Sequence, residues 1–337
     1  MARFLFAAHD PGGALMLSAC HREAVSRGHD ITFVAAGPTA ALWRDRGFAL
    51  SAVDDAAAVS LDDVDAVITG SGFAEFERDL WRRARRHQLA TLAAIDAWTN
   101  LQRRFEASDG VIQPDAVAVL DTPLRDQLAA LEGWSAHLFI VGQPHLQEQT
   151  ARLALRRRQH GKSAGRHQLV FFSEPVREDY GTSRGFDQFE VFAALMKYLD
   201  DVSDVQIRIK PHPREDAGAW QDVAGDRATL AGGSAADLLV EADGVLGMTS
   251  MVLIEAHLLG LPVLSLQPER TAVVNPLIED ICAPLVDWHD LRDRWRAFAA
   301  GFGMTQPVAP RFDGLLRAAD QRMVDAMEAV AEPAGDH

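Results

Sequence analysis

Short, almost continuous apolar runs recur along this chain with amphipathic stretches between them. That alternation constrains the fold more than any other feature. "RFLFAAH" (3–9), "DITFVAAG" (30–37), "DAVITGSG" (65–72), "LATLAAID" (89–96), "AVAVLDT" (116–122) and "HLFIVG" (137–142) read as strands buried on both faces. Such strands require a parallel sheet with helices covering each side. Helical periodicity at 13–27, 75–87 and 123–132 supplies the cover.

The alternation breaks at residues 156–167, which are polar, basic and glycine-containing and read as a linker. A second series follows: "QLVFFSE" (168–174), "VQIRIKP" (205–211), "ATLAGG" (228–233), "DGVLGMTS" (243–250) and "PVLSLQP" (262–268), with helices expected at 186–200, 235–241 and 251–259. The expected architecture is therefore α/β, with two doubly wound Rossmann-like domains, 1–155 and 168–312, facing across a cleft. An amphipathic helix at 313–331 packs on either domain, and 332–337 is a frayed tail. A length of 337 residues suits two domains of roughly 150 each. A cleft between two such domains is the default place for a ligand of moderate size.

Charge and cysteine usage narrow the function classes. The formal net charge of −15 disfavours nucleic acid as a general partner. Cys20 and Cys282 have neither disulfide nor metal spacing and read as small buried hydrophobes of a reducing compartment. "MARFLFAAHD" lacks the long apolar stretch of a signal peptide, and no window approaches ~18 uninterrupted apolar residues, so a cytoplasmic location is expected. Two basic islands, "RRARRH" (82–87) and "RLALRRRQHGKSAGRH" (152–167), read as solvated helix faces or linker. Peripheral docking on the anionic inner face of a cytoplasmic membrane is the other account of them.

Chemistry concentrates where strands end. In "IRIKPHPRE" (207–215) two prolines stop a buried strand at a stiff corner carrying Lys210, His212, Pro213 and Arg214. The carboxyl ends of parallel strands are where open α/β sheets hold ligands. "GVLGMTSMVLIEAHLLGLPVL" runs strand, polar turn, helix, strand, so Thr249, Ser250 and Met251 fall at a helix start. Free N–H groups and two hydroxyls there would converge on an anion, or Thr249 and Ser250 would simply cap the helix. Glu255, inside an otherwise apolar helix, can accept hydrogen bonds from the vicinal hydroxyls of a ribose. "FFSEP" adds Ser173 and Glu174 at another strand end. This set suits a phosphorylated nucleoside, although neither G-x-x-x-x-G-K-[ST] nor G-x-G-x-x-G occurs. In the first half, "AAHDPGGALML" places His9, Asp10, Gly12 and Gly13 at a strand end, and "AAIDAWTNLQRRF" does the same for Asp96 and Asn100.

"KPHP", then the Thr249-Ser250 turn, then a helix bearing Glu255 and ending "GLPVL" resembles the donor half of GT-B glycosyltransferases of bacterial surface polysaccharide synthesis. His212-Pro213 and Thr249-Ser250 match the "HP" and Ser/Thr motifs of bacterial sialyltransferases of this fold, which contact the donor's phosphate. CDP-glycerol-type polymerases and non-hydrolysing sugar-nucleotide 2-epimerases share similar turns. Residues 93–105 resemble a "D-x-W-x-N-Y-x-x-R-F" stretch of polysaccharide-biosynthesis proteins, with Leu101 replacing the aromatic. The sialyltransferases' acidic "D/E-D/E-G" motif finds only a poor match in "SDG" (108–110).

The resemblance implies a metal-independent, inverting glycosyltransferase without a cofactor. Its donor would be a nucleotide-sugar, with the HP motif leaning toward a CMP-activated acidic sugar, and its acceptor a glycan, a lipid-linked glycan or a protein. Ser173, Glu174, Lys210, His212, Pro213, Arg214, Thr249, Ser250, Met251 and Glu255 would bind the donor. Asp96, then Asp10 or His9, would act as base, with Gly12, Gly13 and Asn100 in the acceptor loops; the alternative for Asp96 is a structural pairing with Arg103 or Arg104. "DVD" (63–65) reads as a solvated loop and not as a metal site. The alternatives are a UDP-sugar 2-epimerase or hydrolase of the same fold, and a non-catalytic sugar-nucleotide-binding protein.

Overall fold

The computed structural model describes residues 1–332 apart from 108–109 and 162–164. It separates into two compact units, Met1–Glu148 with the chain from Asp313 onward, and Gln149–Phe312.

The first unit opens with β1 (Arg3–Ala8), α1 (Pro11–Ser26), β2 (Asp30–Ala35), α2 (Thr39–Asp45) and β3 (Leu50–Ala52). It continues with β4 (Ala66–Thr69), α3 (Glu75–Arg86), β5 (Ala90–Ala94) and a small hairpin, β6 (Glu106–Ala107) with β7 (Gly110–Val111). β8 (Ala116–Val119), α4 (Thr122–Ala129) and β9 (His137–Ile140) follow, and α5 (Pro144–His160) starts in this unit and belongs from Gln149 onward to the second. Seven strands form one parallel sheet in the order β3-β2-β1-β4-β5-β8-β9. β1, β4 and β8 are buried almost throughout, as their unbroken apolar runs require. α3 sets Phe76, Leu80 and Ala84 into the core beside Leu5, Val34 and Val67. Its first turn is acidic and its last turn basic, which complements the helix dipole.

The second unit contains β10 (His167–Phe172), α6 (Val176–Tyr180), α7 (Gln188–Tyr198), β11 (Val205–Lys210), α8 (Ala217–Ala224) and β12 (Ala228–Leu230). Then come α9 (Ala235–Glu241), β13 (Gly244–Gly247), α10 (Met251–Leu258), β14 (Val263–Ser265), α11 (Pro276–Ile281) and α12 (Leu291–Ala299). Its five strands are parallel in the order β12-β11-β10-β13-β14. Leu169, Phe171, Ile207, Ile209 and Leu246 pack against Phe192, Leu195 and Trp220 to form its core. α13 (Pro310–Leu316) and α14 (Ala319–Ala331) close the chain.

Two expectations are corrected. Residues 156–160 are the last turns of α5, not linker, because Arg157 donates to the carbonyls of Leu239, Val240 and Ala242 at the end of α9 and so holds the helix down. The single helix expected at 313–331 is two, broken where Ala318 takes a left-handed φ of 50°. α14 packs on α1 and on the sheet of the first unit. The basic islands are also partly committed within the fold: Arg82 pairs with Asp79 at 2.6 Å, Arg85 donates to Gln113 O at 2.9 Å and Arg156 pairs with Asp237 at 2.8 Å. Among the described residues no helix is long and apolar enough to cross a membrane.

Candidate functional site

In both sheets the connections leave in opposite directions on either side of one pair of neighbouring strands, β1 with β4 and β10 with β13. Such a switch point leaves a crevice at the carboxyl ends of its strands.

In the second unit this crevice is a recess of about 250 Å³. Glu174, His212, Arg214, Thr249 and Ser250 line it, together with Asp179, Tyr180, Arg184 and Phe186. Five residues expected to bind the donor, Glu174, His212, Arg214, Thr249 and Ser250, therefore line one recess. The His212 corner is held from below. Glu215 accepts the His212 N–H at 2.6 Å through one oxygen and the Ser173 hydroxyl at 2.8 Å through the other. The Glu215 N–H returns to His212 O at 2.9 Å, which closes the turn around Pro213.

The helix start does not have the free donors expected of it. Glu174 accepts the Thr249 N–H at 2.6 Å, the Ser250 N–H at 2.9 Å and the Thr249 hydroxyl at 2.5 Å. Burial pushes its carboxyl pKa up, and these hydrogen bonds oppose that rise. A carboxylate thus already stands where an anion was expected. Ser250 also caps α10 by accepting from Val252 N at 3.3 Å.

The other expected donor residues are deployed elsewhere. Lys210 turns its Nζ to Gly233 O at 2.8 Å, and Ser173 is spent on Glu215. Met251 is partly exposed at the first position of α10, 3.9 Å from the Asn275 amide nitrogen. Glu255 accepts from the Gln149 side chain at 2.7 Å and does not line the recess; burial lifts its pKa to about 7. Arg214 is neutralised by a two-pronged pair with Asp179, at 2.7 and 2.6 Å.

Sequence reasoning missed Arg184, whose guanidinium lies 4.0 Å from the Tyr180 ring centroid at the mouth of the recess. The "GTSRG" loop that carries it has no periodicity, and an arginine beside a glycine was the only available signal. Glu215 was missed too, although an acid three residues after His212 has the spacing of a turn cap.

In the first unit the switch point gathers His9, Asp10 and Asp96. His9 Nδ1 lies 2.7 Å from Asp10 Oδ1, and Asp10 Oδ2 accepts the Phe73 N–H at 2.9 Å. With Nδ1 committed to Asp10, the ring's Nε2 is the atom left to accept a proton. Because Asp10 serves the ring and Phe73, its side chain makes no capping bond to α1, where Pro11 fills the first turn instead. The two glycines permit the assembly. A Cβ at Gly12 would sit 1.8 Å from Asp96 Oδ2, and one at Gly13 would sit 2.6 Å from Gly70 Cα.

Asp96 is tied down. Its Oδ1 accepts from Arg104 at 2.6 Å, and Arg104 is 5% exposed and also donates to Ser71 O at 3.0 Å. Arg103 instead lies over the Phe73 ring at 4.8 Å. Trp98 is anchored on Asp121 at 2.8 Å, and Asn100 is exposed in a left-handed turn with φ 57°. The "SDG" stretch at 108–110 lies largely outside the described residues. Asp63 and Asp65 of "DVD" pair with Arg3 at 2.9 and 3.1 Å, at the amino end of the sheet. Among the described residues no group of three or more His, Cys, Asp or Glu could hold a metal ion. Two larger recesses, of about 440 and 790 Å³, open at the amino ends of the two sheets, away from the switch points.

No family model and no curated protein matches this chain. Solved structures do. The UDP-GlcNAc 2-epimerase of Methanocaldococcus jannaschii is 10% identical with a TM-score of 0.71, over 97% of this chain and 99% of that one. The UDP-GlcNAc 2-epimerase of Neisseria meningitidis, bound to UDP-GlcNAc, is 11% identical with a TM-score of 0.68, over 97% and 100%. The glycosyltransferase of kitacinnamycin is 17% identical with a TM-score of 0.62, over 98% and 99%. The fold is GT-B, of the kind found in both enzyme types.

Proposed function

We propose that the protein is an enzyme acting on a nucleoside-diphosphate sugar, and that epimerisation at C2 or hydrolysis, with no separate acceptor, is its reaction. The observation that carries the nucleotide is the convergence of His212, Thr249, Ser250, Arg184 and Arg214 on one recess at the second switch point. His212 and Arg184 would take up charge on the departing diphosphate. His9, oriented by Asp10, would exchange the proton that either reaction moves. The UDP-GlcNAc 2-epimerases among the similar structures favour this reading over a sialyltransferase-like one with a CMP-activated sugar.

Glycosyl transfer is the second reading. Asp96 is bonded to Arg104, whereas His9 and Asp10 form an acid–base pair at this crevice, and deprotonating an acceptor hydroxyl needs no more than that. The glycosyltransferase of kitacinnamycin stands beside it in fold.

The test is a melting-curve panel of UDP, GDP, CDP and CMP, followed by incubation with UDP-sugars alone. A ligand at ~100 times its Kd stabilises by about 2.7 kcal/mol, a shift plainly visible in melting. New sugar epimer or free UDP without acceptor supports the first reading, and turnover only after acceptor is added supports the second. Binding without turnover in either mixture would leave a sugar-nucleotide-binding protein, and no stabilisation by any nucleotide would sink all three.

A further inference from the structure

The sheet of the first unit parts where its reacting pair is expected. β1 and β4 stay in register from Phe4 with Ala66 to Ala7 with Thr69, and Gly70 N–H still reaches Ala7 O at 3.2 Å. Beyond Gly70 the chains diverge, since the backbone of Gly13 presses against it. The next donor facing that side, the His9 N–H just past β1, therefore has no strand to pair with. A buried backbone donor left open in this way costs about 1–3 kcal/mol.

A side chain from α3 fills the place. Glu77, 1% exposed, accepts the His9 N–H at 2.9 Å through Oε1. Its other oxygen is buried and has no hydrogen-bond partner among the described residues, so the carboxyl is not there to satisfy a second group. Burial raises its pKa, and the hydrogen bond from the His9 N–H opposes that rise. Keeping such a group at 1% exposure is unfavourable unless it does something at its bonded end. That end is His9, whose carbonyl is fixed in turn by the Thr39 hydroxyl at 2.8 Å and whose ring is fixed by Asp10.

We propose that Glu77 is a positioning residue for the His9–Asp10 pair. By capping the His9 N–H at the point where the sheet splits, it sets the backbone from which the ring reaches Asp10, and so keeps the proton on Nδ1 and Nε2 open. This rests on the reading in which that pair moves the proton, but its structural half can be measured separately.

The experiment compares the full chain with Glu77→Gln, whose amide oxygen can still accept the N–H, and Glu77→Leu, which cannot. Long-range nitrogen–proton spectra of histidine-labelled protein, with His9→Gln to assign the signal, report the tautomer of His9. Turnover of a UDP-sugar is followed in parallel. Wild type and Glu77→Gln should show the Nδ1–H form and turnover within about fivefold of one another. Glu77→Leu should shift His9 toward the Nε2–H form and lose turnover by about 50-fold or more, with KM unchanged within about twofold.

A folded Glu77→Leu protein with wild-type tautomer and turnover would overturn the proposal. A tautomer change with no turnover even in wild type would uphold the positioning role and discard the enzyme reading. Should Glu77→Leu fail to fold, Glu77→Asp, whose shorter arm cannot span the same gap, decides by the same tautomer signal.

Discussion

Glu174 and Thr249 meet through two hydrogen bonds, one to the backbone N–H at 2.6 Å and one to the hydroxyl at 2.5 Å, at the start of the helix expected to receive a phosphate. Replacing Glu174 by alanine strips the Thr249 and Ser250 donors of their partner. A loss of about 2 kcal/mol in unfolding free energy is expected by urea denaturation. Glu174→Gln keeps acceptor and shape, so it should stay within about 1 kcal/mol of wild type. It also removes a negative charge from the recess, and calorimetry should find UDP bound about tenfold more tightly than by wild type. Weaker binding by a folded Glu174→Gln protein would mean that the carboxylate helps the ligand.

Glu255 makes stability depend on pH. Its folded pKa of about 7 stands above the ordinary 4.5 because burial disfavours its charge. The folded state therefore holds the proton over a range where the unfolded chain releases it, and stability falls as pH rises from about 4.5 to about 7. The full shift corresponds to roughly 3 kcal/mol. Melting curves of Glu255→Gln across that range should lack this fall, and parallel curves for the two proteins would refute it.

Asp96, expected as a base, makes a 2.6 Å contact with the nearly buried Arg104. Asp96→Ala strands the guanidinium and should lower stability by about 3 kcal/mol. Adding Arg104→Met should recover part of that loss, and denaturation of the four proteins of the cycle measures the coupling. A coupling near zero would return Asp96 to the list of candidate bases.

Asp10→Asn weakens the orientation of His9 without touching the recess of the second unit. Affinity for UDP should stay within about twofold while turnover of the sugar nucleotide falls by about 100-fold or more. Equal losses in both would show that Asp10 acts on binding.

Most of the scaffold is legible in the sequence because a parallel sheet writes itself as uninterrupted apolar runs. Phe4 to Ala8 and Ala66 to Thr69 have no polar alternation to mislead, and Pro211 marks the end of β11 to within one residue. The corner at His212 and the turn at Thr249-Ser250 share a recess because both follow strands that flank β10. Side-chain direction is what sequence hides. Nothing in "FFSEP" says that Glu174 turns into the start of α10, nor in "IRIKP" that Lys210 bends toward Gly233. The break between α13 and α14 was equally invisible, since Ala318 carries no residue-type signal for a left-handed φ.

The two halves carry the same latch at the same address. Two residues past the end of its central strand, each sheet has an acid, Asp10 or Glu174, clasping backbone N–H groups of the loop that follows the adjoining strand. Any molecule that pried one clasp open would liberate amide donors in that half alone. The twin halves could therefore be tuned separately, by exchanging a single carboxylate, without disturbing the strand order they share.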